Sequence, residues 1–241
     1  MSDSLPEGVQ RVAACLAERG HPHAPRMLSD AARTAQEAAG ALGVGTGQIA
    51  KSIVFKRLPD EVAVLVVTSG DQRVDEKKLS ALVCQPGHKL ARADADFVKS
   101  RTGFSIGGVS PVAHATAVVQ VLDVSLFRFG QVWSAAGHPH GVFAATPAQL
   151  ARLTGALMAD VAQGVLPEQR TRALLQAHAA VLAESPDAEA PSPCISVCRM
   201  NAETGFCEGC LRTIGEITAW SRSSPSVKRE VWAAIAQRAA A

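Results

Sequence analysis

Two β-branched apolar runs, Ile49–Phe55 and Val62–Thr68, constrain the fold of this chain more than any other feature. Both have strand length, and Pro59-Asp60 between them interrupts regular structure, so they read as a pair of strands. The flanking signals are helical. Val9, Val12, Ala13 and Leu16 share one face of a helix over 8–19. Thr34 and Glu37 form a capping box for a helix ending near Gly43. Asp75 caps a short helix through Val83, and Asp94 or Asp96 opens another that ends at Gly103. Thr116–Val121 and Val132–Ala135 read as strands, and Gly137–Gly141 as a turn into Val142–Ala144. Pro147 suits the first turn of a helix through about Met158. Strands and helices interleave without a regular βαβ repeat, which predicts an α+β fold with a mixed or antiparallel sheet flanked by helices.

The pattern changes after residue 158. Pro167–Leu182 reads as a helix, and Glu184–Pro193 (Glu-Ser-Pro-Asp-Ala-Glu-Ala-Pro-Ser-Pro) as a linker. Thr213 with Glu216 then caps one helix, and Ser224-Pro225 opens a second carrying Val227, Val231, Trp232 and Ile235. The expected organisation is a first domain over 1–158, a helical segment and linker over 159–190, and a cysteine-rich domain over 191–241.

Between those two helices and the linker lies Cys194-x3-Cys198-x8-Cys207-x2-Cys210. Four soft thiolates this close suit a tetrahedral zinc or an iron–sulfur cluster, and Gly205 and Gly209 permit the turns that would converge them. Disulfide pairing is the rival use. A unit this small has little core of its own, so a metal would supply much of its stability. The other two cysteines, Cys15 and Cys84, sit among apolar residues and read as small buried hydrophobes.

Composition excludes several classes. The net charge is only +2 over 241 residues, tyrosine is absent, and aromatics make up 4%. Neither a long basic groove nor stacking on exposed bases is indicated, so contact with RNA would be local. Met1–Glu7 lacks the basic and apolar regions of a secretory signal, and no apolar run reaches the ~18 residues of a membrane span. Together with the cysteine usage, this predicts a cytoplasmic protein with no membrane partner.

The most suggestive functional stretch is Thr102-Gly103-Phe104-Ser105-Ile106-Gly107-Gly108-Val109-Ser110-Pro111, an uncharged loop with paired glycines and a stiffening proline. With Gln48-Ile49-Ala50-Lys51-Ser52-Ile53-Val54-Phe55 upstream and Ala136-Gly137-His138-Pro139-His140-Gly141-Val142-Phe143 downstream, it resembles the YbaK and prolyl-tRNA-synthetase editing-domain superfamily. Ala32–Ala39 and Val74–Leu79 extend the likeness to residues 5–157. The resemblance implies hydrolysis of mischarged aminoacyl-tRNA by substrate-assisted water attack, with no cofactor for that reaction. It implies that Lys51 is the essential lysine and that Gly107 and Pro111 form the Gly-x-x-x-Pro loop. Gly108 lies beside them, and free N–H groups there would grip the ester carbonyl or the terminal adenosine. His138 and His140 fall on a loop that varies in the family and shapes its pocket, and Arg33 is a further substrate-binding candidate. His21 and His23 flank Pro22 in a segment that helps wall the family's pocket, and His114 follows the glycine loop. Lys77, Lys78 and Arg101 are candidates for RNA phosphate, with solvated faces as the default.

The implied substrates are tRNAs charged with Ala, Cys, Ser or Thr, bound by their acceptor end, with a synthetase as a possible partner. No synthetase catalytic domain is evident, so the activity would be exerted in trans. The segments Pro193–Cys198 and Gly205–Cys210 resemble a small bacterial cysteine-rich family of unknown function, whose members are often described as predicted iron–sulfur proteins. The competing reading is a non-catalytic protein that holds a tRNA end or ligand, with the cysteine unit docking a partner or acting as an iron–sulfur regulator.

Overall fold

The two apolar runs form the central strands of the molecule's sheet. The structure is a computed structural model that describes residues 5–29, 32, 34–164 and 167–241, the side chains of Pro167 and Glu168 excepted. It separates into two compact units, Met1–Gly164 and Val165–Ala241.

In the first unit, α1 (Glu7–Glu18) precedes β1 (Arg26–Met27) and α2 (Ala35–Leu42). Then come β2 (Ile49–Leu58), β3 (Val62–Ser69), α3 (Glu76–Val83), β4 (Lys89–Arg92), α4 (Ala95–Thr102) and β5 (Val119–Asp123). The unit ends with β6 (Val132–Ala135), β7 (Gly141–Ala145), α5 (Pro147–Thr154) and β8 (Leu157–Ala159). Among the described residues the strands make one sheet, in the order β1-β7-β6-β2-β3-β5-β8, with β4 also on β2. It is mixed. β2 pairs antiparallel with β3 and β4, whereas β2–β6, β3–β5 and β5–β8 are parallel. Val64, Leu65, Val66 and Val67 are all 0% exposed, so β3 is covered on both faces. Leu79 of α3 shares a core with Phe55 and Val66, and Ala38 and Ala39 of α2 share one with Ile49.

Local signals place the helix ends. Thr34, Asp75 and Asp94 each accept a backbone N–H at their N-caps, and Gly43 and Gly103 end α2 and α4 in the left-handed region. Two expectations fail. The strand expected at Thr116 begins at Val119, because Thr116 is tied back to the Arg101 carbonyl by its N–H at 3.1 Å and its hydroxyl at 2.9 Å. The helix from Pro147 stops at Thr154, where Gly155 adopts φ 61°, and Leu157–Ala159 pairs with β5 instead. Cys15 and Cys84 are half-buried rather than enclosed.

The second unit comprises α6 (Pro167–Ala183), α7 (Ile214–Ala219) and α8 (Pro225–Ala240). Leu175, Ala179 and Leu182 of α6 share a core with Val231, Trp232 and Ile235 of α8, so this helix belongs to the second unit's core rather than to a free connector. Trp232 Nε1 donates to the Pro191 carbonyl at 2.8 Å, and Arg238 grips the Glu216 carboxylate at 2.7 and 2.9 Å. No helix among the described residues is long and apolar enough to cross a membrane.

Candidate active site

The sheet opens along one edge of β2. On that edge β6 pairs only with Ile49 and Ala50, and β4 joins only from Phe55 onward. Among the described residues, Lys51–Val54 therefore have no strand partner on that side, while β3 pairs with the other side from Ala50 to Arg57. Two cavities lie at this window. The larger holds about 570 Å³ and is lined by Ile53, Val54, Arg73, Glu76, Arg92 and Gln163 among others. The smaller holds about 220 Å³ and is lined by Ala35, Ala38, Ala50, Trp133, Ser134 and His138 among others. Lys51, Ser52, Ile106, Gly107 and Val109 line both, so the cavities meet at Lys51 and the glycine loop.

Lys51 is half-buried, and its Nζ donates to the carbonyls of Gly70 at 3.2 Å and Gln72 at 2.5 Å. Burial lowers its pKa from the ordinary lysine value, Asp71 opposes that shift, and Arg73 adds to it.

The glycine loop has a free tip and an embedded base. Ser105–Gly107 are exposed, with Ile106 63% exposed, whereas Gly108–Val112 are buried. Gly107 sits at φ 90°, which favours glycine. Gly108 corrects the expectation of a free donor: its N–H closes a turn onto the Ser105 carbonyl at 3.0 Å. Its lack of a side chain matters instead, because a Cβ there would lie 2.9 Å from His138 backbone atoms. Pro111 is buried and lines neither cavity; its carbonyl accepts from Gln120 Nε2 at 2.7 Å.

His138 lines the smaller cavity. Its Nδ1 accepts the His140 N–H at 3.2 Å, so the neutral ring carries its proton on Nε2. His140 lines neither cavity and directs Nδ1 at the Leu28 carbonyl, 3.2 Å away. Arg33 lies outside the described residues. His21 bonds the Ala144 carbonyl at 2.8 Å and lines a separate cavity with Arg19 and Arg152. His114 is held on the Ser110 carbonyl at 2.8 Å, and burial lowers its pKa. Lys78 is committed to Asp160 at 2.7 Å and to the Ala162 carbonyl at 2.6 Å; Lys77 is exposed. Arg101 lies over the Phe97 ring at 5.4 Å. Sequence reading missed Arg73, Arg92, Ser52 and Ile106. A lone arginine after a strand has no pattern, and only the opened sheet edge brings it to Lys51.

In the second unit the four cysteines are not gathered. Cys194 and Cys198 are exposed, Cys207 and Cys210 are buried, and no three metal-ligating side chains stand together among the described residues. This arrangement does not by itself fit a four-thiolate site. It does prepare one sulfur. Burial pushes the Cys207 thiol up, but backbone N–H groups of Cys210, Gly209 and Arg199 aimed at it leave its pKa lowered, while burial raises that of Cys210.

Comparison with known proteins matches two segments of the chain. Residues 29–153 match the family model of the aminoacyl-tRNA editing domain, and residues 192–239 match a protein family of unknown function (DUF1289). The chain is 36% identical over 121 residues to the uncharacterized protein YwhH of Bacillus subtilis (strain 168), covering 50% of this chain and 74% of that one. It is 39% identical over 80 residues to the proline–tRNA ligase of Pelotomaculum thermopropionicum, covering 33% of this chain but only 13% of the ligase. A crystal structure of a candidate trans-editing enzyme for prolyl tRNA synthetase superposes with TM-score 0.61 at 42% identity, covering 67% of this chain and all (100%) of that one. The opened sheet edge, Lys51 and the glycine loop thus lie within the matched segment, and the chain belongs to the aminoacyl-tRNA editing domain family.

Proposed function

We propose that this chain is a trans-acting deacylase that hydrolyses the ester of mischarged tRNA carrying a small amino acid, such as Ala, Cys, Ser or Thr. The observation that carries the reading is the meeting of two unlike cavities at Lys51. The smaller has alanine-rich walls and, among the described residues, no charged side chain besides Lys51, which suits a small aminoacyl group. The larger carries Arg73 and Arg92, which suits the anionic 3′ end of a tRNA. A substrate laid across the two puts its ester beside the Lys51 ammonium and the exposed tip at Gly107.

Such an ester is already activated. Its hydrolysis needs a fixed carbonyl, a water and a stabiliser for the developing oxyanion rather than a covalent nucleophile. The Lys51 ammonium supplies positive charge where the oxyanion or the terminal phosphate would lie. In this reading a ribose hydroxyl of the substrate helps activate the water, and His138 shapes the aminoacyl pocket. A synthetase pocket separates side chains one methylene apart by only ~1–3 kcal/mol, so a second site that removes small wrong products restores accuracy. The ligase relative makes a synthetase a natural neighbour in this work. For the second unit we propose a thiolate-bound zinc or iron–sulfur site, supported by the close spacing of Cys194, Cys198, Cys207 and Cys210 in the chain; occupancy would have to gather the four side chains.

The test is amino-acid release from tRNAs charged with Ala, Ser, Cys, Thr and Pro, comparing wild type with Lys51→Ala. Selective release abolished by the substitution is expected. No release from any of the five by a folded wild-type protein refutes the deacylase reading.

A further inference from the structure

Lys51 is held in place by a turn, and that turn is itself clamped. The two carbonyls that accept from its Nζ, of Gly70 and Gln72, follow directly on β3. The Ser69 hydroxyl lies 2.5 Å from the Gly47 carbonyl and 2.7 Å from Asp71 Oδ1, its single proton serving one of them at a time. Arg128, from the segment after β5, donates through Nη2 to both Asp71 carboxylate oxygens, at 2.8 and 3.1 Å, and to Ser69 Oγ at 3.0 Å. Two glycines seat the turn against the start of β2. A Cβ on Gly70 would lie 2.3 Å from the Thr46 carbonyl oxygen, and one on Gly47 would lie 2.9 Å from Asp71 Oδ2. The turn and the start of β2 therefore pack too closely to admit a side chain at either glycine.

We propose that Asp71 and Arg128 are positioning residues for Lys51: Arg128 holds Asp71, Asp71 holds the Gly70–Gln72 turn, and the turn's two carbonyls fix the ammonium where the cavities meet. The catalytic consequence rests on the deacylase reading; the positioning does not.

Electrostatics point the same way. Burial favours the neutral amine, and the Asp71 carboxylate is the attraction that opposes it. For Asp71 itself burial acts upward, but Arg128 and Ser69 outweigh it and keep the carboxyl below its ordinary range. Among the described residues, the other charged or titratable groups facing Lys51 are Arg73 on the same turn, Glu76 and Arg92 across the larger cavity, and His138 across the smaller. Among the described residues none of these hydrogen-bonds the Lys51 amine, whereas the clamped turn does so twice.

The experiment follows acetylation of Lys51 by mass spectrometry across pH in the full chain, alongside deacylation kinetics, for wild type, Asp71→Asn, Arg128→Met and Arg128→Lys. Only the neutral amine reacts, so the midpoint of the labelling curve reports its protonation and the plateau reports access. Asp71→Asn removes the opposing charge, so the midpoint moves to lower pH. With it the basic limb of the kcat profile moves down, and kcat falls on the order of 10²-fold with KM little changed. Arg128→Met loses a comparable factor in kcat, and Arg128→Lys recovers part of it. A turn that merely loosened would let water reach Lys51 and move the midpoint upward. That result, or an unmoved midpoint in Asp71→Asn, overturns the proposal. A wild type that releases no amino acid from any tRNA, with the midpoint still lowered in Asp71→Asn, refutes the deacylase reading and leaves the positioning of Lys51 standing.

Discussion

Gly108→Ala tests whether the glycine loop is seated by close approach rather than by flexibility. The added Cβ would lie 2.9 Å from the N, Cα and C atoms of His138, closer than real Cβ contacts and against backbone rather than a yielding side chain. The His138 turn cannot retreat easily. Its Gly137 and Gly8 of α1 face each other so tightly that a Cβ on either would fall 2.5 or 2.4 Å from the other's carbonyl oxygen. The loop must move instead. Overpacking of this kind costs about 1–3 kcal/mol. At roughly 2–4 °C per kcal/mol for a domain of this size, Tm falls by about 2–12 °C. Loss of geometry at Ile106 and Gly107 lowers kcat/KM on the order of 10²-fold. Thermal unfolding followed by calorimetry, with release of amino acid from charged tRNA, reads both. Gly107→Ala is the control: nothing lies within 4 Å of its Cβ, so only the strain of φ 90° acts, about 1–2 kcal/mol. A Gly108→Ala protein within ~0.5 kcal/mol of wild type and fully active would refute the seating argument, since that spread is what ordinary surface changes show.

Other outcomes follow from the same geometry. Arg73→Gln or Arg92→Gln should weaken tRNA binding and flatten the dependence of log K on log salt by about 0.7 per lost phosphate contact; an unchanged slope removes these arginines from the larger cavity's role. Because burial lowers the His114 pKa in the fold, the unfolded chain takes up this proton first as pH falls below about 6.5. The first unit should therefore lose stability on the acid side of that point, and His114→Gln should reduce the slope of stability against pH there. Anaerobically purified protein should carry zinc or iron, and a chelator should lower the thermal stability of the second unit. Metal-free protein whose unfolding ignores the chelator sinks the metal reading.

The capped helices were legible because their determinants lie within a turn. Thr34 with Glu37, Asp75, Thr213 with Glu216 and Ser224-Pro225 all cap where the sequence places them, and of Asp94 and Asp96 it is Asp94 that caps α4. Short edge strands were not. Arg26–Met27, Lys89–Arg92 and Leu157–Ala159 are strands only because distant partners offer free backbone groups. The site divides in the same way. Lys51, Gly107 and His138 line the cavities and Gly108 packs against His138, while Pro111 and His140 line neither. Arg73, Arg92, Asp71 and Arg128 carried no motif.

What the sequence determined by itself is therefore local: strand and helix type, caps, the glycine loop, the four-cysteine spacing and, through ordered motifs, the family. Tertiary structure alone decided that β6 leaves β2 after Ala50 and β4 joins it at Phe55. That gap makes the window at Lys51, and it depends on pairing between residues far apart in the chain. No local pattern encodes such pairing, because each strand's free edge becomes a site or a ladder only according to which partner reaches it.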